Sequence, residues 1–181
     1  MGGRHGLQRD RGRHARGRQM PDEDGTAALQ LNLSDERTST MTADSKQIIF
    51  DYYRKVWEEH DVDAIPTLFA ESYVNHAGAR GTLKGPDGIL ANYRSLKEAF
   101  PDVAFTLDLV LSEGSRVCAY YTMTGTHTGM FMGIAPTDNA VKVPGIGIYE
   151  VQNGMIAESW VVRDSLVLLR QLGADVTTKP A

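Results

Sequence analysis

Cysteine occurs once, at Cys118, so no disulfide can close within the chain, and a reducing cytoplasm is the compartment that suits it. A single thiol in a strand-like stretch reads as a small buried hydrophobe. No run approaches the ~18 consecutive apolar residues needed to cross a bilayer, and the arginine-rich start lacks the apolar segment of an export signal. Neither membrane insertion nor export is expected. The five histidines are scattered, with no paired His or Cys spacing, so metal-ligand motifs are missing. Gly78-Ala79-Arg80-Gly81 lacks the lysine and the helix context of a phosphate loop, which removes the usual nucleotide signature.

What is present belongs to one ordinary globular domain: 181 residues, 41% hydrophobic and 23% charged. The first forty residues differ from the rest. Arg4, Arg9, Arg11, Arg13, Arg16 and Arg18 alternate with Gly and His, Asp22-Glu23-Asp24 follows, and no apolar periodicity offsets the entropy of ordering. Residues 1–40 are therefore expected to be a flexible extension, and Met20 and Met41 offer later starts. They hold 7 Lys and Arg against 6 Asp and Glu, which leaves 12 against 17 in residues 41–181. The folded part is acidic, and a nucleic acid is a poor match to it.

Ile48, Ile49, Tyr52, Val56 and Trp57 recur at helical spacing, with Thr42 or Asp44 as N-cap, which predicts a helix over 44–60. A second short helix is expected over 61–70, then an extended Tyr73-Val74-Asn75-His76. Ile89, Leu90, Tyr93, Leu96 and Phe100 give a third helix that stops before Pro101. From there the period changes to two. Segments 103–111, 117–127, 141–151 and 155–164 are rich in β-branched and aromatic residues and predict an antiparallel meander.

Asn153-Gly154 is a strong hairpin signal. With these two as the turn, residue 149 faces 158, 147 faces 160 and 143 faces 164. That register puts Trp160, Val162 and Asp164 on one face with Tyr149, Gly147, Gly145 and Val143, and points Lys142, Glu150 and Arg163 to solvent. A one-residue slip reverses the assignment. Three helices covering a concave four-stranded sheet give an α+β layer arrangement with a pocket between them.

A carboxylate ending an apolar, aromatic strand is costly to bury, which makes Asp164 the leading candidate for an acid or base. The bland alternative is a cap on the helix that follows. His127, closing its strand, is either a pocket-mouth group or a hydrogen-bonded structural residue. Asn75 and His76 alternate, so one of them points inward, and His76 is favoured. Tyr149 and Trp160 are core residues by default and candidate pocket walls otherwise, the tyrosine hydroxyl being able to bond a carbonyl oxygen. Met130, Phe131 and Met132 resemble an apolar lid or, equally, a patch that buries at a dimer interface.

Several motifs occur in order: Tyr73-Val74-Asn75-His76, Phe100-Pro101-Asp102, Gly125-Thr126-His127-Thr128-Gly129, Pro136-Thr137, Gly154 through Trp160, and Asp164 through Gln171-Leu172-Gly173. Together, over about residues 44–173, they resemble the SnoaL-like polyketide cyclases of the NTF2-like superfamily. The resemblance implies a cone-shaped α+β barrel, commonly dimeric, with an apolar cavity open at one end. It also implies cofactor-independent aldol ring closure of a polyketide-like ester, with Asp164 as general acid and base and His127 nearby. Asp138, Glu150 and Gly147 depart from the family pattern. The same fold also hosts dehydratases, isomerases, epoxide hydrolases and adaptors that only bind. An epoxide hydrolase would need a second carboxylate and an inward arginine, and the register above turns Arg163 outward.

Overall fold

The computed structural model describes residues 44–76 and 83–174. The expected extension over residues 1–40, the Thr42 cap and the Gly78–Gly81 loop lie outside the described residues. Helix α1 covers residues 44–58, its last six, Tyr53–Glu58, in π-helical form, and it buries Ile49, Tyr52, Tyr53, Val56 and Trp57. Asp61 then accepts from the backbone N–H groups of Asp63 and Ala64 and starts a 3-10 turn, Val62–Ala64. Helix α2, Ile65–Leu68, follows it.

Here the expected helix over 61–70 stops early. Phe69–Asn75 form strand β1, which pairs in parallel with the last strand of the chain, a long-range bond that local periodicity does not reveal. Strand β2, Leu83–Lys84, precedes α3, Gly85–Ala99, with Pro86 in its first turn, where a missing N–H costs nothing. Strands β3 (Ala104–Glu113), β4 (Arg116–Thr126), β5 (Ala140–Gln152) and β6 (Met155–Arg163) form the expected meander, and α4, Ser165–Gln171, follows. The sheet therefore has six strands instead of four, in the order β2-β1-β6-β5-β4-β3. It is an α+β fold with a curved, unclosed sheet whose inner face is covered by helices. No helix among the described residues is long and apolar enough to cross a membrane.

Several of the sequence motifs act as fasteners. The Gln171 side-chain oxygen accepts from the Lys142 N–H at 2.8 Å and its side-chain nitrogen donates to the Lys142 carbonyl at 3.1 Å, which clamps α4 to β5. Asp102 accepts from the backbone N–H of Thr126 at 2.6 Å and from its hydroxyl at 2.7 Å, bonds that hold its carboxyl below the usual range. Thr128 and Gly129 donate to the Ala99 carbonyl at the end of α3. A Cβ on Gly129 would stand 2.0 Å from the Glu98 carbonyl oxygen, so this approach admits only glycine.

The hairpin turn lies at Asn153 and Gly154 as expected, with Gln152 opposite Met155 and Val151 opposite Ile156. Then the register moves. Glu150 pairs with Glu158, leaving Ala157 as a β-bulge, and every residue beyond it changes face. Gly145 opposes Arg163, Gly147 opposes Val161 and Tyr149 opposes Ser159. The expected pairing of 147 with 160 and 143 with 164 is thus corrected by one residue. The physical reason lies in Glu158, which the regular register would have buried opposite Tyr149.

Candidate functional site

Three rows of side chains cross the inner face in register: Leu107, Tyr121, Gly145 and Arg163; Val110, Ala119, Gly147 and Val161; and Ser112, Val117, Tyr149 and Ser159. Strand alternation sends Trp160 and Val162 to the opposite face. The expected pocket walls therefore change: Trp160 is not one, whereas Tyr149 is buried on the inner face. Arg163, expected in solvent, points inward.

Room left by Gly145 and Gly147 is filled by tyrosine rings. An ideal Cβ on Gly145 would lie 2.4 Å from the Tyr121 ring and 2.5 Å from its hydroxyl, and one on Gly147 would lie 2.6 Å from the Tyr149 hydroxyl. Helix α1 adds Tyr52 and Tyr53 from above. Tyr53 and Tyr149 share a hydroxyl–hydroxyl hydrogen bond of 2.8 Å, and Tyr73 meets the hydroxyl of buried Ser159 at 2.6 Å. Burial pushes the phenols of Tyr53 and Tyr149 well up, and that of Tyr73 to about 12. In Tyr52 and Tyr53 the positive charge of Arg163 acts against this rise.

Arg163 itself is half-buried, and its Nε is sealed from solvent with no hydrogen-bond partner among the described residues. None of the ion pairs among those residues includes it. No inward residue of β4, β5 or β6 carries a carboxylate. Among the described residues, no three His, Cys, Asp or Glu side chains stand together as metal ligands would.

Asp164 follows Arg163 directly, where β6 gives way to α4. Its carboxylate is exposed and accepts from the Val167 N–H at 2.9 Å, so it is the N-cap of α4. The apolar wall expected from Trp160 and Val162 is not formed around this exposed carboxylate. His127 is fully buried. Its Nδ1 stands 3.0 Å from the Thr137 hydroxyl, its carbonyl accepts from the N–H groups of Thr137 and Asp138, and its ring packs on Phe100. The unpartnered Nε2 is sealed in with it. This histidine braces the turn at Pro136-Thr137 from within and does not stand at a pocket mouth.

His76 is also relocated. It lies on the outer face, bonded to Glu158 at 2.6 Å and stacked on Trp160 at 4.8 Å between ring centres. Asn75, paired with Ser159, takes the inward place that His76 was expected to fill. Phe131 is buried against Phe100, while Met130 and Met132 project outward on either side, so one residue of the expected lid is an anchor. Sequence reasoning missed Tyr53, Tyr121 and Arg163. Its usable signal was Glu158, whose charge argues for a bulge.

Comparison with known proteins matches residues 47–172 to the model of the SnoaL-like polyketide cyclases. No curated protein sequence matches the chain. TsrD from Streptomyces laurentii is 27% identical, with 73% of this chain and 96% of that chain covered and a TM-score of 0.66. Wild-type IdmH from Streptomyces antibioticus is 25% identical, covering 72% and 99%, with a TM-score of 0.64. A SnoaL-like polyketide cyclase from Agrobacterium tumefaciens, at 20% identity, 71% and 98% coverage and a TM-score of 0.61, shows the shared fold.

Proposed function

This chain belongs to the SnoaL-like polyketide cyclase family, and from that premise we propose that it closes a ring in a polyketide-like ester by an intramolecular aldol reaction. A carbon between two carbonyls loses a proton to the Asp164 carboxylate. The resulting enolate carbon then bonds to a second carbonyl carbon of the same molecule, whose oxygen takes a proton back. One carboxyl group serves both transfers, and binding a flexible substrate in a folded conformer supplies the rest. No cofactor enters the scheme.

The observation that carries this reading is the placement of the Asp164 carboxylate. It is exposed at the end of β6, inside the span the family model matches and next to inward-facing Arg163. One oxygen caps α4, and the other is left to take a proton. The test is turnover of a panel of β-keto esters by the full chain, wild type beside Asp164→Asn, with ring-closed product followed by mass and retention. Closure that persists in the folded mutant would overturn it.

A second reading, a binding module that holds a small apolar ligand without turnover, is favoured by the cap itself, which already gives Asp164 a structural task. It predicts that Asp164→Asn binds the same compounds unchanged and that neither protein converts them. The inward turn of Arg163 removes one objection to an epoxide hydrolase, but the missing inward carboxylate on β4–β6 still weighs against it.

The expected homodimer is proposed through the outer sheet face. There Leu109, Tyr120, Ile146 and Val162 form one row across β3–β6, and Leu111, Cys118, Ile148 and Trp160 form the next. Leu111 is 56% exposed and Val162 62%, in a contiguous apolar surface of the kind that marks an interaction site. A cytoplasmic location is likewise proposed and rests on the single cysteine.

A further inference from the structure

Of the three inner rows, only Tyr121, Gly145, Arg163 ends on a charged side chain. Its central position carries no side chain, and the Tyr121 ring fills the space above it. A Cβ there would stand 2.5 Å from the tyrosine hydroxyl. That hydroxyl is thereby carried across β5 toward the strand whose facing residue is Arg163. A guanidinium with five N–H donors and a phenol thus face the same concave side, in one row across the sheet. The pairing acid that would make Arg163 a structural ion pair is missing from the inward positions of β4–β6.

A cation held beside Tyr52 and Tyr53 gives up part of its hydration, and without a partner that loss is uncompensated. Its Nε is closed off, so the terminal nitrogens are the part a ligand can reach. They form a planar pair of donors suited to two oxygens that share one negative charge. Carboxylates have this shape, and so does the enolate of a β-dicarbonyl. The apolar and aromatic surroundings favour the larger, more delocalised and less strongly hydrated of the two.

From this geometry we infer that Arg163, aided by the Tyr121 hydroxyl, is an oxyanion site that binds the β-dicarbonyl enolate of the substrate. The inference rests on the cyclase reading for the identity of the substrate, but not for the binding itself. Loss of a C–H proton leaves an electron pair spread over two oxygens, and Arg163 neutralises that charge while the carbon remains free to attack. Arg163 makes the proton easier to remove, and the group that removes it is a separate residue.

Benzoylacetone is a suitable probe, because its enolate absorbs differently from its neutral forms and it cannot cyclise. At a fixed neutral pH the full-length wild type is expected to raise the enolate band on binding, and Asp164→Asn to raise it at least as much. Arg163→Met should lose the band and bind the enolate on the order of 10–100-fold more weakly. Arg163→Lys, with charge but no planar donor pair, and Tyr121→Phe should fall between. A thermal melt of Arg163→Met no lower than wild type is expected, since an unpaired charge has been removed. The proposal is overturned by no enolate band in wild type, by an equal band in Arg163→Met, or by a sharply lower melt of that variant with the band retained. An enolate band with no closure of any keto ester would sink the cyclase reading and leave the oxyanion site standing.

Discussion

Tyr53 on α1 and Tyr149 on β5 meet hydroxyl to hydroxyl at 2.8 Å, tying the covering helix to the middle of the sheet through two otherwise buried polar atoms. Each satisfies the other, as Ser159 does for Tyr73. Burial, more than the bond itself, opposes ionisation of either phenol.

Alkaline pH should therefore undo the fold. For Tyr73, burial raises the phenol from 10.0 to about 12 in the folded state, so its contribution is fully present below about pH 10 and is lost as pH rises through about 12. Tyr53 and Tyr149 are raised in the same sense. Thermal melts are expected to be insensitive to these groups up to about pH 10 and to fall steeply above it, and Tyr73→Phe should blunt the fall. A flat alkaline profile would contradict the buried tyrosine cluster.

Asp164 separates two effects by two substitutions. Asparagine caps helices about as well as aspartate, so Asp164→Asn should melt close to wild type, whereas Asp164→Ala should cost about 1 kcal/mol. Turnover should drop by about 10²–10⁴ in both. Equal turnover in the asparagine variant would leave the residue as a cap alone.

At Gly145 the prediction is steric. A methyl group there meets the Tyr121 ring at 2.4 Å, closer than packed carbons come, so Gly145→Ala should destabilise by about 1–3 kcal/mol. Combining it with Tyr121→Leu should recover much of that loss. Calorimetric melts of the single and double variants check both halves, and simple additivity would show that the two residues do not compete for the same space.

On the outer face, Val162→Glu puts a charge in the middle of an apolar row. Because Val162 is already exposed, folding should change by less than about 0.5 kcal/mol. Association should be lost, with sedimentation moving from dimer to monomer. A wild type that sediments as a monomer at all concentrations would refute the proposed interface.

Much of the architecture was legible because it is local. Helix α3 announces itself through its apolar spacing and the stop at Pro101, the last hairpin through Asn153-Gly154, and the meander through four period-two runs. Strand β1 was half-hidden, since Phe69 and Ala70 also fit a helical pattern and its partner β6 lies far along the chain. The candidate site was misread for one reason. Alternation along β6 is reliable only if no residue is skipped, and Ala157 interrupts it without a glycine or proline to mark the place. His127 fits the pattern of a strand-end histidine whichever way its ring faces, so its burial against Phe100 depends on packing that no motif spells out.

The bulge at Ala157 also bears on how this sequence can change over evolutionary time. Point changes in β6 alter one side chain each, but loss of that single codon would exchange two whole surfaces. Arg163 would be turned out and Trp160, Val162 and Glu158 turned in. Substitution can tune this strand position by position, while a length change there amounts to building a different protein. The spacing from the hairpin to Arg163 is thus a heritable property of its own, apart from the identity of any residue in it.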